Sequence, residues 1–213
     1  MGYLRYSVNE TYFKKIDTGE KAYWLGFILT DGCVMERTKN QKEFSINLQQ
    51  NDFEHLVKFK NSIESNNKID FRTDKRGSKS TRIRIFNKNF VDSLIEKGIE
   101  PRKTGKTKPL SCIPKKYNTD FWRGCVDGDG MLRVRKDGCY VCNLVGDYEL
   151  VNGFKTYCGT IVNTNKNNIR PQENIYTFTV TGKKAEKIIK KLYGNCTVSL
   201  NRKQEIAKTI LNV

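Results

Sequence analysis

The chain has 213 residues, of which 37% are hydrophobic, with 10 Tyr, 11 Phe and 2 Trp. That is enough apolar material for a core, which excludes intrinsic disorder. No apolar run reaches the roughly 18 residues of a membrane span, and the opening MGYLRYSVNETYFKK lacks the apolar stretch of a secretory signal. The net charge is +16, from 39 Lys and Arg against 23 Asp and Glu, and residues 101–119 carry six basic side chains and no acid. Basic surplus in every part of the chain fits a long polyanion better than one local phosphate site. The alternative is a basic protein with no such partner. Seven scattered cysteines include one C-x-x-C, Cys139 and Cys142, and the single histidine is His55. No second pair stands at zinc spacing, so the thiols are read as small buried side chains in a reducing, cytoplasmic setting.

In chain order, Thr18 or Asp17 caps a predicted helix running through Thr30, with Glu20 and Lys21 in its first turn. CVMERTKNQKEFSINLQQ alternates around a turn near 39–42, a hairpin. Asn51 or Asp52 then caps the helix FEHLVKFKNSI, and KIDFRTDKRGSKSTRIRIFN is a second hairpin turning at Arg76-Gly77-Ser78. KNFVDSLIEKG is a helix stopped by Gly98 and Pro101. The second half predicts a helix at 119–130, a hairpin at 131–145, a helix at 147–158, a longer hairpin at 160–181 and a helix at 183–193. A final helix, SLNRKQEIAKTIL, opens at Ser199.

The halves repeat. WLGFILTDG lies on WRGCVDGDG with Trp24 on Trp122, Gly26 on Gly124, Asp31 on Asp129 and Gly32 on Gly130. NDFEHLVKFK lies on GDYELVNGFK, and the offset is 98 residues at the first match and 95 at the second. The expected fold is α+β: two pseudo-symmetric αββαββα halves, each with a four-stranded antiparallel sheet covered by helices on one face. The expected boundaries are 1–100, a basic linker at 101–118, and 119–213.

The strands predict what the other face carries. Side chains alternate across a strand. Arg82 and Arg84 oppose Ile83 and Ile85; Arg133 and Arg135 oppose Leu132 and Val134; Lys68 and Arg72 oppose Ile69 and Phe71. Ser45, Asn47 and Gln49 oppose Phe44, Ile46 and Leu48. Such side chains bond phosphates and base edges, though each strand alone also fits the wet side of a half-buried sheet. For 139–145 a one-residue slip exchanges the faces, and Cys142 and Asn143 stay open as alternatives.

Gly26 and Thr30 stand four apart, as do Gly124 and Gly128. Small residues at that spacing clear a strip along a helix, so the two repeated helices are expected to pair along these strips. Their ends would bring Asp31 and Asp129 together, against the negative ends of both helix dipoles. Divalent cations relieve that repulsion, and Mg²⁺ accepts carboxylate, carbonyl, water and phosphate ligands. Phosphodiester hydrolysis, one cut per strand of a duplex, is the chemistry such a pair supports.

The two phrases resemble the motif that names the LAGLIDADG homing endonucleases. Trp24 and Trp122 stand at its first Leu, Gly26 and Gly124 at its first Gly, Asp31 and Asp129 at its last Asp, and Gly32 and Gly130 at its final Gly. The middle Asp is kept as Asp127 but is Leu29 in the first copy. The resemblance covers essentially the whole chain, including the connector and LNRKQEIA, and is strongest to phage- and intron-borne members. It implies a monomer cutting both strands of a long, nearly asymmetric DNA site with Mg²⁺, or Mn²⁺ as substitute. It implies metal ligation by Asp31, Asp129 and the carbonyls of Thr30 and Gly128. It also implies a Gln and a Lys around the attacking water. Gln50 is the best-placed Gln; Val145 or Gly146 stands there in the second half. Lys88 and Lys183, after the fourth strand of each half, are the candidate lysines, and either also fits a solvated lysine at a helix start. The rival reading is a nuclease-inactive DNA- or RNA-binding member, such as an intron maturase or a regulator.

Overall fold

The computed structural model describes residues 6–38, 40–102 and 105–212. The chain divides into two compact units. One holds the residues up to Asp17 together with Asp31–Arg102; the other holds Thr18–Thr30 and the chain beyond Arg102.

The first unit contains β1 (Gly32–Thr38), β2 (Gln41–Gln49), α2 (Phe53–Ser62), β3 (Ile69–Thr73), β4 (Lys79–Ile85) and α3 (Lys88–Glu96). Its strands form one antiparallel sheet in the order β1-β2-β4-β3. Val34, Phe44, Ile46, Leu48, Ile83 and Ile85 are buried on one face. Leu56 and Phe59 of α2 and Phe90, Val91 and Leu94 of α3 complete that core, with the Phe44 ring tilted against those of Phe59 and Phe90. Each large apolar side chain so buried stabilises the unit by roughly 1.5–3 kcal/mol before entropy is counted. Asn87 caps α3 by accepting from the Phe90 N–H at 2.9 Å. Gly98, at φ +96°, closes it. The β3–β4 turn is held by Asp74, whose carboxylate accepts from the Arg76 and Ser78 amides, with Gly77 at φ +81°.

The second unit contains α1 (Gly19–Asp31) up to Thr30, α4 (Asn118–Asp129), β5 (Gly130–Val134), β6 (Tyr140–Gly146), α5 (Tyr148–Gly159), β7 (Ile169–Gln172), β8 (Ile175–Thr181), α6 (Gly182–Tyr193) and α7 (Asn201–Leu211). Its sheet has the same order, β5-β6-β8-β7, also antiparallel throughout. Thr18 opens α1, accepting from the Lys21 N–H at 3.2 Å. The two halves thus share the helix-strand-strand-helix-strand-strand-helix order, followed by the closing α7.

Two predicted helix starts need correction, the first being α7, which begins at Asn201 after Leu200 and not at Ser199. Asp52 is the residue before α2, but its side chain makes no capping bond. A single 3-10 turn, Gln50–Asp52, intervenes between β2 and α2. In the second half α5 starts after Asp147 alone. This is where the repeat loses three residues and its offset falls from 98 to 95.

The register settles the face of the strand at 139–145. Gly32 pairs with Ile46 and Gly130 with Leu144, so Asn143 occupies the place of Ser45, and Val145 that of Asn47. Cys142 and Leu144 point into the core, opposite Val180 and Phe178. Burial pushes the Cys142 thiol up to about 12. It is therefore an inert core side chain.

α1 lies against α4 within the second unit, and Gly26 and Gly124 of the predicted strips mark the contact. A Cβ on Gly26 would stand 2.1 Å from the Phe121 carbonyl oxygen, and one on Gly124 2.1 Å from that of Tyr23. Both obstacles are backbone, so a side chain can be admitted only by parting the helices. Thr30, which shares a strip with Gly26, turns its hydroxyl back to donate to the Phe27 carbonyl at 2.9 Å. Gly26→Ala and Gly124→Ala are each expected to lower stability. Overpacking costs about 1–3 kcal/mol and sometimes more, while the gain in helix propensity returns at most about 1 kcal/mol. Urea unfolding measures the difference, and a variant more stable than wild type would contradict the close contact.

Candidate nucleic-acid interface

The uncovered face of the first sheet carries Cys33, Glu43, Ser45, Asn47, Gln49, Asp70, Arg72, Ser80, Arg82 and Arg84, which the cross-strand register places side by side. Asn47, Gln49 and Arg72 are exposed, as is Lys68 just before β3. The arginines of β4 are already engaged. Arg82 donates to Glu43 at 2.9 Å and reaches Ser45 at 3.4 Å, and Arg84 pairs with Asp70 at 3.2 Å. Arg82 lies over its strand neighbours, which is why Ser45 is buried although it belongs to the open face. Alternation alone assigned Ser45 to that face. Only the tertiary structure shows the acid that pins Arg82 across it.

Asp31 is the last residue of α1. It opens onto that same face, in a groove of about 460 Å³ whose lining includes Asp31, Cys33, Ser45, Asn47, Arg72 and Arg82. Asp31 therefore shares a concave surface with a second carboxylate, Asp74, and with amide, hydroxyl and guanidinium groups. Guanidinium, hydroxyl and amide groups are the kinds that bond phosphates and base edges.

The second sheet's open face is chemically different. Arg133 of β5 is exposed on it, but Arg135 lies beyond the end of β5, in the turn closed by Gly138 at φ +76°. Arg133, Val134, Arg135, Lys136 and Asp137 line a depression of about 530 Å³ there. By register the counterparts of Arg82 and Arg84 are Thr177 and Thr179. Asn143, Thr177, Thr179, Arg170 and Gln172 share this face. Asn143 was left open from sequence, because the apolar pattern of CYVCNLVG does not specify its register, and the other four were not singled out. The Asn143 amide oxygen is buried without a partner. One face is thus rich in guanidinium groups and the other in hydroxyls and amides.

Around the helix ends, the candidate residues are disposed unequally. Gln50 is exposed in the 3-10 turn. That turn is missing from the second half, where the one connecting residue, Asp147, accepts from the Thr107 amide at 2.6 Å and from its hydroxyl. Lys88 begins α3 and pairs with Asp92 at 2.5 Å, and Asp92 also binds Lys42 at 2.6 Å. Hydrogen bonds from Lys42 and Lys88 hold the Asp92 carboxyl below its usual range. Lys183 is exposed near the start of α6.

Asp129 ends α4 and is exposed, while Gly128 is half-buried. Behind them lies a buried polar network. Asp127 is 0% exposed and accepts from the Tyr23 hydroxyl at 2.7 Å, the Tyr193 hydroxyl at 2.6 Å and the Leu200 amide at 2.7 Å. Arg123, also buried, donates to the carbonyls of Val198 and Leu192 and to Asp120. Lys203 of α7 donates to the carbonyls at the end of α4. Asp127 was noted from sequence only as the middle acid of a motif, and Lys203 only within the stretch LNRKQEIA.

No three Asp, Glu, His or Cys side chains cluster as a ready-made metal cage among the described residues. Each helix end instead offers one carboxylate beside backbone carbonyls. Such an incomplete oxygen set suits a hard divalent cation that keeps water and takes phosphate oxygens from its substrate.

The fold and this face define a class: the chain has the two-motif fold of the LAGLIDADG endonucleases. The LAGLIDADG meganuclease I-AabMI, bound to uncleaved DNA, superposes with a TM-score of 0.59 at 12% identity, over 92% of this chain and 89% of that one. I-DmoI, in complex with DNA and Ca, gives 0.59 at 13% identity, over 96% and 100%. I-SmaMI, bound to its uncleaved DNA target in the presence of calcium ions, gives 0.56 at 14%, over 89% and 90%. No family model and no curated protein matches the chain by sequence.

Proposed function

We propose that this protein is a site-specific, double-strand DNA homing endonuclease of the LAGLIDADG type, working as a monomer inside the cell and dependent on Mg²⁺, with Mn²⁺ able to replace it. The observation that carries the reading is the groove that joins Asp31, at the end of its motif helix, to the polar sheet face. The likeness in fold to meganucleases bound to DNA supports it. Asp31 and Asp129, with the carbonyls of Thr30 and Gly128, are the groups that would hold the metal. Bound there, divalent cations would activate water and stabilise the leaving oxygen of a phosphodiester.

The chain's own residues do the rest. Asn47, Gln49 and Arg72 meet bases and phosphates on one side, and Arg133 with the hydroxyl-rich face of β8 on the other. Arg82 and Arg84 exchange Glu43 and Asp70 for phosphates as DNA docks. Two faces so different read two different half-sites, hence a long and nearly asymmetric target. Gln50, Lys88 and Lys183 flank the attacking water, Lys88 after leaving Asp92.

The test is selection of cut molecules from a randomised duplex library in Mg²⁺, with a chelator control. Sites that are cut only with the metal present support the reading. A protein that binds a selected site yet never cuts it is instead the binding-only maturase or regulator. Salt gives a second check: with six or more phosphate contacts, affinity should fall about a thousandfold between 50 and 200 mM salt. A flat response would remove the sheet faces from the interface.

A further inference from the structure

The helix-covered side of the second sheet carries a basic surface that the proposed DNA face does not use. α6 buries Ala185, Ile188, Ile189 and Leu192 on the side of the sheet lined by Cys142 and Leu144. Lys187, Lys190 and Lys191 stand on its outward side, all exposed. Spacings of three and four residues make them neighbours on one helix face, about 5–6 Å apart at Cβ. They edge a groove of about 520 Å³ between the C-terminal end of α6 and the start of α4. Asn195 and Thr119 add an amide and a hydroxyl. The Thr119 oxygen accepts from the Tyr157 hydroxyl at 3.1 Å, so its own proton remains for another acceptor. Charge in the groove is one-sided. Its acid, Asp120, is already neutralised by Arg123 at 2.7 Å, and Arg123 is otherwise spent on the Val198 and Leu192 carbonyls. Among the described residues none of the three lysines makes an ion pair. Lysines in the last turn of a helix suit its dipole, but that accounts for Lys190 and Lys191 alone, and not for Lys187 or for the concavity. A helix is about 10–12 Å across. That layer and the sheet beneath it separate the groove from Arg133, Thr177 and Thr179, so a duplex on the open face leaves it untouched.

We propose that this groove is a second, sequence-independent phosphate site, which grips the backbone of another DNA duplex while the sheet faces hold the first. This rests on the DNA-binding part of the reading above. Among the described residues no aromatic ring lines the groove. It therefore gives unpaired bases nothing to stack on, the usual device for reading single-stranded RNA. Its ammonium, amide and hydroxyl groups suit phosphate oxygens, which carry no sequence information. A protein that must find one site amid an excess of other DNA gains by passing from duplex to duplex without release into solution.

The full chain is held on an immobilised, selected site duplex in Ca²⁺, and an unrelated duplex carrying a fluorophore is added. Wild type should retain the second duplex at 50 mM salt, with one chain to two duplexes, and should leave the first faster as the second is added. Three phosphate contacts predict that retention weakens about 40-fold between 50 and 200 mM salt. Lys187→Gln, Lys190→Gln and Lys191→Gln together remove the charge and keep nearly the same helix propensity. This variant should retain the second duplex at least about tenfold less, while its site affinity and melting temperature stay where they were. Retention unchanged in the variant, or absent in wild type, overturns the proposal. Two chains per pair of duplexes overturns it in favour of association between copies. Site affinity lost in step with retention makes the lysine row part of the first interface and overturns it too. An RNA hairpin retained in preference to the duplex overturns it in favour of an RNA site. A chain that binds no selected site fails the DNA-target reading instead; there, weaker binding of the unrelated duplex by the Gln variant upholds the groove and equal binding overturns it.

Discussion

Asp31→Asn and Asp129→Asn should each leave a folded protein that binds its selected DNA site and cuts it at least about a thousandfold more slowly. The substitution keeps side-chain shape and removes one hard anionic ligand. Metal stabilisation of a phosphodiester transition state is worth several kcal/mol, and every 1.36 kcal/mol is about tenfold in rate. Binding should be spared because the proposed DNA contacts lie on the sheet faces and not at the helix ends. Stability should not fall, since both acids end their helices, where the dipole disfavours negative charge. Cleavage time courses in Mg²⁺, binding in Ca²⁺ and thermal melts separate the three quantities. A variant that cuts at near wild-type rate would remove that aspartate from the proposed centre. A variant that melts early would instead mean the acid was structural.

The largest effect on stability should come from Asp127→Leu, which installs the residue that the first copy of the motif carries at Leu29. Leucine would strand the Tyr23 and Tyr193 hydroxyls and the Leu200 amide, all buried, and leave Lys203 with less compensating charge. Breaking a buried charged network by removing one member costs about 3–5 kcal/mol. Against a typical total of about 5–15 kcal/mol, that is enough to unfold much of the population. Asp127→Asn, which keeps some of the bonds, should cost less, about 1–3 kcal/mol. Burial pushes the Asp127 carboxyl above its usual range, against the opposing pull of Lys203 and its three donors. A raised folded pKa stabilises most below the unfolded value and loses that contribution as pH climbs past it. The margin of wild type over Asp127→Asn should therefore be widest below about pH 4 and shrink toward neutrality. Urea midpoints across pH measure this, and a margin that widens with pH would contradict the burial-dominated shift.

Much of this molecule is legible in short stretches. The glycine strip, the aspartates at helix ends, the hairpins and the open face of β2 and β4 follow from periods of two and of three to four residues, which are local properties. The pairing of Gly26 with the Phe121 backbone and of Gly124 with that of Tyr23 follows once the repeat is seen. What lies outside that reach is of another kind. The Glu43 that holds Arg82, and the register placing Asn143 with Thr179, depend on which strand lies beside which. Asp127 and Tyr23 stand 104 residues apart, and Lys203 and the Asp127 carbonyl 76.

The amino-acid sequence by itself determined that there are two kindred αββαββα halves, that a basic chain presents polar strand faces, and that one acid ends each motif helix. These are matters of composition and short-range periodicity, and they survive almost any packing. Tertiary structure alone decided that the faces differ in chemistry, that only one half keeps a 3-10 turn before its second helix, and that a lysine from the last helix closes α4. Charges and carbonyls far apart in the chain acquire a meaning only when burial forces each donor to find an acceptor, and no local pattern records which partner it finds.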